Sequence, residues 1–118
     1  MIRMGIFGAA KIAPKALIEP VSRRNDCEIV CVAARDVARA RTYADTHGIP
    51  ETADSYEALI ARPDIDLIYN ALPPNRHADL SIAALEAGKA VLCEKPFAMN
   101  AAEARAMAEA STRTGRPL

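Results

Sequence analysis

The sequence predicts an α/β fold in which a doubly wound parallel sheet of about five strands carries helices on both faces. Short apolar runs alternate with segments of helical periodicity along the chain, which is typical of βαβ units with right-handed crossovers. The first apolar run also turns at a glycine directly into a helical pattern. With 118 residues, 51% of them hydrophobic, the chain has the length of one globular domain, residues 1–118.

Four apolar runs define strands. Ile2–Phe7 is the first, and Glu28–Ala34 is continuously apolar after its first residue, as expected of a strand covered on both faces. Asp66–Leu72, which we count as the fourth strand, ends at the Pro73-Pro74 pair because proline cannot continue a ladder. Ala90–Cys93 is then the fifth strand.

Helical spacing and capping residues place helices in the intervals. We expect helices from Ala10 to about Glu19, over Asp36–Thr46, from an Asp54/Glu57 capping box through Ile60, over Asn75–Ala87, and from an Asn100/Glu103 capping box to near Gly115. Pro20 is expected to end or kink the first of these helices, and Gly48 and Gly88 to stop the second and the fourth.

Composition excludes several function classes. Lys+Arg and Asp+Glu are both 15, so a net charge of zero gives no indication of a nucleic-acid or anionic-membrane partner. No apolar run has the length of a membrane span and the N-terminus lacks a signal-peptide layout, so we expect a cytoplasmic protein. Cys27, Cys31 and Cys93 lie in or beside apolar runs, and the only histidines are His47 and His77, which argues against a metal site.

The turn after the first strand resembles a phosphate-binding loop. Gly8, Ala10 and Ala13 occupy the three positions of the pattern G-x-G-x-x-G/A, with alanine in place of the second glycine. The free backbone N–H groups of a first helical turn are suited to a pyrophosphate. The candidate cofactor-binding residues here are Gly8, Ala9, Ala10, Lys11 and Ile12. An ordinary strand-to-helix turn is the alternative that this stretch alone leaves open.

The end of the second strand favours NADP over NAD. An acidic residue usually stands there in NAD-binding domains and accepts from the adenosine ribose, whereas here Ala34 is followed by Arg35, with Arg39 one helical turn later. A guanidinium can bind a 2′-phosphate by two hydrogen bonds. The alternative is that both arginines are solvated charges at the start of a helix.

Glu94-Lys95-Pro96 follows the last strand directly, at the edge of the sheet where ligands of such folds bind. Lys95 could hydrogen-bond a substrate hydroxyl and take part in proton transfer, while Glu94 could hold a ribose. An exposed salt bridge between the two side chains is the plainer alternative.

Three motifs together resemble the glucose–fructose oxidoreductase/inositol dehydrogenase (Gfo/Idh/MocA) family over essentially the whole chain. They are Gly-Ala-Ala-Lys-Ile-Ala at 8–13, Ala-Leu-Pro-Pro-Asn-Arg-His at 71–77 and Ala-Leu-Glu-Ala-Gly-Lys-Ala-Val-Leu-Cys-Glu-Lys-Pro at 84–96. The resemblance implies a Rossmann domain in which Lys95 is catalytic, beside the nicotinamide, and Glu94 contacts a ribose. It also implies that Leu72, Pro73, Asn75 and His77 line the cofactor; a structural histidine at the start of a helix is the alternative for His77.

Members of that family carry a second domain that supplies the substrate pocket and usually the oligomer interface. We therefore expect the dinucleotide-binding domain alone, able to hold a cofactor but not to turn over a substrate efficiently. The resemblance implies an oxidoreductase that moves a hydride between NADP and a sugar, cyclitol or related diol, in a possible homo-oligomer. A non-catalytic NADP-sensing regulator is the alternative, and the intact Glu-Lys-Pro at 94–96 favours the enzyme. A flavodoxin-like scaffold would not explain Gly8–Ala13 together with Arg35.

Overall fold

A computed structural model describes all residues, 1–118, and shows one parallel five-stranded sheet. Its strands are β1 (Ile2–Phe7), β2 (Cys27–Ala33), β3 (Glu51–Thr52), β4 (Leu67–Asn70) and β5 (Ala90–Cys93), in the spatial order β3-β2-β1-β4-β5. All neighbouring pairs are parallel. The chain therefore builds outward from β1 to one side and then crosses back to build β4 and β5 on the other.

The helices connect successive strands. A π-helical turn (Pro14–Ile18) continues as α1 (Glu19–Ser22), and α2 (Val37–His47) and α3 (Tyr56–Ile60) follow. A 3-10 turn (Pro74–Arg76) leads into α4 (His77–Glu86), and α5 (Ala101–Thr114) is the last helix.

Two apolar clusters cover the two faces of the sheet. On one face, side chains of α1 and α2 pack against β1, β2 and β4, with Leu17, Val21, Ala44, Ile6, Val32 and Tyr69 buried there. On the other face, α3, α4 and α5 cover the sheet, with Leu59, Leu80, Leu85, Ala110, Phe7 and Ile68 buried there. The doubly wound parallel sheet with helices on both faces is thus confirmed.

The first helix differs from the prediction at both ends. It begins at Pro14 rather than Ala10, because proline suits the first helical position, where no N–H is needed. It also passes Pro20 instead of ending there. The N–H of Glu19 donates to the carbonyl of Pro14, five residues earlier, and this wider π turn relieves the clash that a proline ring has with the carbonyl four residues before it.

Of the two predicted capping residues, one shifts and the other is confirmed. Ser55, and not Asp54, caps α3: its hydroxyl accepts from the N–H of Ala58 at 2.9 Å, because the helix begins at Tyr56 and Asp54 lies one residue too early. Asn100 caps α5 as predicted, accepting from the N–H of Glu103 at 2.9 Å. The Glu103 carboxylate, however, accepts from the N–H of Met99 and not from that of Asn100.

Candidate functional site

The strand order brings four loops together at the carboxyl edge of the sheet. They are residues 8–13 after β1, 34–36 after β2, 71–77 after β4 and 94–96 after β5. Since β2 and β4 flank β1 and the chain leaves β1 and β4 toward opposite faces of the sheet, a crevice opens at this edge beside β1. Every residue predicted for the site lies in one of these loops, or one helical turn beyond in the case of Arg39.

Gly8 ends β1 in a conformation that requires glycine. Its φ is +99°, and a Cβ at this position would lie 3.2 Å from Cδ2 of Leu72 and 3.4 Å from the carbonyl oxygen of Ala71. Its N–H donates to the carbonyl of Ala33 at 2.8 Å, so the first residue of the loop is still held to β2. The loop after β1 therefore leaves the sheet sharply and close to the loop after β4.

The loop that follows presents unpaired donors. The backbone N–H groups of residues 9–13 donate to no acceptor in the protein, whereas the N–H of Ala16, in the helical turn that follows, binds the carbonyl of Ile12 at 2.9 Å. Lys11 and Ile12 are exposed, whereas Ala13 is fully buried against the sheet. A row of free N–H groups at a strand-to-helix turn is suited to an anion such as a pyrophosphate.

Tyr43 of α2 holds this loop in place. Its hydroxyl donates to the carbonyl of Ala10 at 2.7 Å, which ties the loop to α2. Burial raises the pKa of the Tyr43 phenol, so it remains a proton donor at neutral pH. The sequence gives no signal for this contact, because it joins residues 33 positions apart.

The two arginines after β2 have no carboxylate partner. Ala34 is buried, Arg35 and Arg39 are exposed, and neither guanidinium takes part in an ion pair or a hydrogen bond. Asp36, between them, is used as the cap of α2, where its carboxylate accepts from the N–H of Ala38 at 2.9 Å. Both arginine side chains are therefore available to a negatively charged ligand.

Asn70 organises the loop after β4. It is fully buried at the end of the strand; its amide donates to the hydroxyl of Ser81 at 3.0 Å, and its oxygen accepts from the N–H of Leu72 at 3.3 Å. Leu72 is half-buried, and Pro73 and Asn75 are exposed on the loop that Asn70 holds. A polar residue inside an apolar strand was the available signal for this role, and our sequence analysis missed it.

His77, the first residue of α4, is 1% exposed and lies between two backbone carbonyls. Its Nε2 is 2.6 Å from the oxygen of Leu72, and its Nδ1 is 2.8 Å from the oxygen of Pro96. A neutral ring donates to one of these oxygens at a time, and a protonated ring donates to both. Neither nitrogen is left for a ligand, so the geometry favours the structural alternative: His77 joins the loop after β4 to the loop after β5.

Glu94 is fixed at the end of β5. Its N–H donates to the carbonyl of Asn70 at 3.0 Å, and its carboxylate accepts from the buried hydroxyl of Tyr69 and from the N–H of Lys95. The Tyr69 hydrogen bond, with that of Lys95, holds the pKa of Glu94 below its usual range. Burial and the neighbouring carboxylate raise the pKa of Tyr69. At neutral pH the pair is therefore a phenol that donates to a carboxylate.

Lys95 is exposed at the crevice, and its ammonium group makes no ion pair with Glu94 or with any other carboxylate. The salt bridge considered from the sequence is therefore not formed. The Lys95–Pro96 peptide bond is cis. No three His, Cys, Asp or Glu side chains lie close enough to hold a metal ion, and none of the helices is both long and apolar enough to cross a membrane.

Comparison with known proteins places these features in context. The sequence model of a family described as an oxidoreductase family with an NAD-binding Rossmann fold, GFO_IDH_MocA, matches residues 2–118. Trans-1,2-dihydrobenzene-1,2-diol dehydrogenase of Bos taurus is 46% identical over 114 residues, which are 95% of this chain and 34% of that protein. D-xylose 1-dehydrogenase (NADP(+)) 2 of Haloferax volcanii is 44% identical over 103 residues, 87% of this chain and 31% of that protein.

Solved structures agree with the sequence comparison. The 3-ketoreductase KijD10 from Actinomadura kijaniata, in complex with NADP and TDP-benzene, superimposes with a TM-score of 0.89 at 32% identity. The match covers 98% of this chain and 35% of that one. The chain thus spans about a third of the length of the proteins that it resembles.

Proposed function

Because the chain belongs to the Gfo/Idh/MocA oxidoreductase family through its NAD-binding Rossmann domain, we propose that it binds NADP in the crevice beside β1. We further propose that the whole protein moves a hydride between NADP and the carbinol carbon of a sugar, cyclitol or related diol. The names of the relatives support this class, since they include a diol dehydrogenase and a xylose dehydrogenase.

The observation that carries nucleotide binding is the row of free N–H groups from Ala9 to Ala13. A dinucleotide pyrophosphate would accept from them, and Ala10 fits because its methyl group is half-buried against the protein while its carbonyl is held by Tyr43. Ala34 and the unpaired Arg35 and Arg39 support NADP, since a carboxylate at this place would repel a 2′-phosphate. NADP is also present in the KijD10 structure and in the name of the xylose dehydrogenase.

In the proposed mechanism Lys95 is the catalytic residue and Glu94 holds a ribose hydroxyl. NADP, when bound, supplies the site that accepts or returns the hydride. In the oxidation direction the Lys95 amine would accept the proton of the substrate hydroxyl as the carbinol carbon loses its hydride. In the reduction direction the Lys95 ammonium would return that proton to the carbonyl oxygen, and no ion pair with a carboxylate holds this group back. Leu72, Pro73 and Asn75 form the wall on the β4 side, which His77 and Asn70 hold in position.

The regulatory alternative gains no support. The relatives named above are dehydrogenases and a ketoreductase, and the unpaired Lys95 has a role in an enzyme that a sensor would not need. We include a homo-oligomer and a cytoplasmic location in the proposal, without a nucleic-acid or membrane partner. The exposed apolar side chains of Leu92, Phe97 and Met99 beside β5 support contact with another protein surface.

Calorimetric titration of the 118-residue chain with NADP and, separately, NAD at low ionic strength tests the proposal. We expect NADP to bind more tightly, because only NADP can use the two free guanidinium groups. Arg35→Ala should then weaken NADP more than NAD by about 1–3 kcal/mol, the usual size of a hydrogen bond to a charged group. If neither nucleotide binds the unaltered chain, the proposal is contradicted. If Arg35→Ala weakens the binding of NADP and of NAD equally, Arg35 does not belong to a 2′-phosphate site.

A further inference from the structure

Arg76 is a charged residue of the crevice that lies in the motif at 71–77 but has no role in the expected cofactor contacts or in the proposed mechanism. It is the last residue of the 3-10 turn after β4, and its side chain is 40% exposed. Its Nε donates to the carboxylate of Asp79 at 3.2 Å, and its guanidinium carbon lies 5.6 Å from the centre of the Tyr56 ring. Asp79 thus occupies one edge of the guanidinium, whereas the two terminal nitrogens have no acceptor.

Tyr56 directs this arginine toward the β2 side of the crevice. Its ring packs edge-on against Phe7, the last residue of β1, with ring centres 5.3 Å apart. It is the first residue of α3 and is partly buried against the larger apolar cluster, so the ring is a fixed surface. An arginine that comes from the β4 loop and lies over this ring therefore leans across the end of β1, away from Lys95 and β5.

The charges around Tyr56 are mostly positive. Burial raises the pKa of its phenol, while the cations of Arg76, Arg35 and Arg39 act to lower it and Glu57 acts to raise it. Three guanidinium groups from two separate loops thus lie close enough to one phenol to influence its ionisation. Of the three, only Arg76 has a carboxylate partner, Asp79.

We propose that Arg76, supported by the ring of Tyr56, is a third arginine of the site for the adenosine 2′-phosphate, facing Arg35 and Arg39 from the β4 side. This inference rests on the proposed function and assigns a cofactor-selecting role to a residue outside the β2 loop. A phosphate monoester carries nearly two negative charges and three acceptor oxygens. Three guanidinium groups can therefore bind it more strongly than two. Without the 2′-phosphate, Arg76 retains its partner Asp79 and makes no contribution specific to NAD.

A different role for Arg76 would be stacking on the adenine ring, which a planar guanidinium can also do. Stacking would strengthen every adenosine nucleotide to the same extent, because the base is common to all of them. The pair of nucleotides that separates the two roles is 2′,5′-ADP and 5′-AMP, which differ only by the 2′-phosphate.

The experiment is calorimetric titration of the chain and its Arg76→Ala variant with both nucleotides. Arg113→Ala is the matched control, because Arg113, on α5, also pairs with a helical carboxylate, that of Glu86 at the end of α4. We expect Arg76→Ala to weaken the binding of 2′,5′-ADP about tenfold and that of 5′-AMP by less than about twofold. Arg113→Ala should change neither affinity. Arg76→Lys, which keeps the charge, should recover part of the loss.

Equal weakening of both nucleotides by Arg76→Ala would assign the residue to adenine and overturn the proposal. No weakening of either would overturn it as well. Both results leave the proposed function standing if the unaltered chain binds NADP. If the unaltered chain binds none of these nucleotides, the proposed function fails and this inference fails with it.

Discussion

At the scale of single residues, the contact between Tyr69 and Glu94 lowers the pKa of the carboxyl at the end of β5. The phenol is buried in the sheet, 25 positions away along the chain, and the carboxylate is at the crevice. The sequence placed Glu94 correctly at a strand end, but it could not reveal the partner, because the pairing of β4 with β5 brings the two side chains together. Tertiary contacts of this kind leave no local pattern.

Tyr69→Phe should reduce the free energy of unfolding by about 1–3 kcal/mol, since it removes a hydrogen bond to a charged group. Chemical denaturation at neutral pH measures this, and Tyr43→Phe is the control, because its lost bond is to the neutral carbonyl of Ala10 and should cost about 1 kcal/mol. A smaller loss for Tyr69→Phe than for Tyr43→Phe would contradict the assignment.

The same pair predicts a dependence on pH. Since the pKa of Glu94 is lower in the folded protein, its contribution is present above the unfolded pKa of about 4.3 and is lost as the pH falls below it. When the pH is lowered from neutral to below that value, the free energy of unfolding should therefore fall less for Tyr69→Phe than for the unaltered chain. Parallel stability curves for the two proteins would show that Tyr69 does not lower the pKa of Glu94.

Lys95→Ala, made in a form of the protein that turns over a substrate, should depress turnover far more than NADP affinity. The physical reason is that Lys95 is proposed to handle the proton of the substrate hydroxyl, whereas the free N–H groups and the arginines hold the cofactor. Steady-state kinetics and a cofactor titration of the same variant separate the two effects. Unchanged kcat would remove Lys95 from the chemistry.

At the scale of elements, the sequence predicts the bounds of some strands and helices better than those of others. Ile2–Phe7 and Ala90–Cys93 were placed with correct bounds because apolar runs mark buried parallel strands. β3 has only two residues, Glu51–Thr52, which is too short for any period to be read. Pro20 was expected to end or kink the first helix, and the helix continues past it through a π turn, a geometry that α-helix propensities do not describe.

Ser55→Ala should destabilise the chain by about 1 kcal/mol, the usual cost of losing a side-chain cap, as measured by chemical denaturation. Asp54→Ala is the matched control one residue away and should change stability by less than about 0.5 kcal/mol. The opposite order of the two effects would restore Asp54 as the cap of α3.

At the scale of the whole molecule, the chain is as compact as a domain of its length, and its buried polar side chains are hydrogen-bonded. The Cα radius of gyration is 13.3 Å, against about 13.5 Å for a compact domain of this length. No buried side-chain nitrogen or oxygen lacks a hydrogen-bond partner. These properties support the use of the chain alone in the titrations above.

The alternation of strands and helices predicted the fold class, and with it the edge of the sheet at which the site residues meet. It did not contain the spatial order β3-β2-β1-β4-β5, which sets the crevice beside β1. The motifs identified which loops form the site, and the order of the strands determines how these loops are arranged around the crevice. Arg76 illustrates the difference: it lies in the motif at 71–77, but its position over the ring of Tyr56, a residue of α3, is a tertiary contact that the motif does not contain.

His77 joins the loops after β4 and β5 through the carbonyls of Leu72 and Pro96. Because one buried side chain contacts both loops, each loop restrains the other in the folded chain. The loss of conformational entropy for both takes place before any ligand arrives, so it does not subtract from the affinity for the cofactor. Such preorganisation also makes the crevice respond as one unit, with a displacement of either loop transmitted to the other.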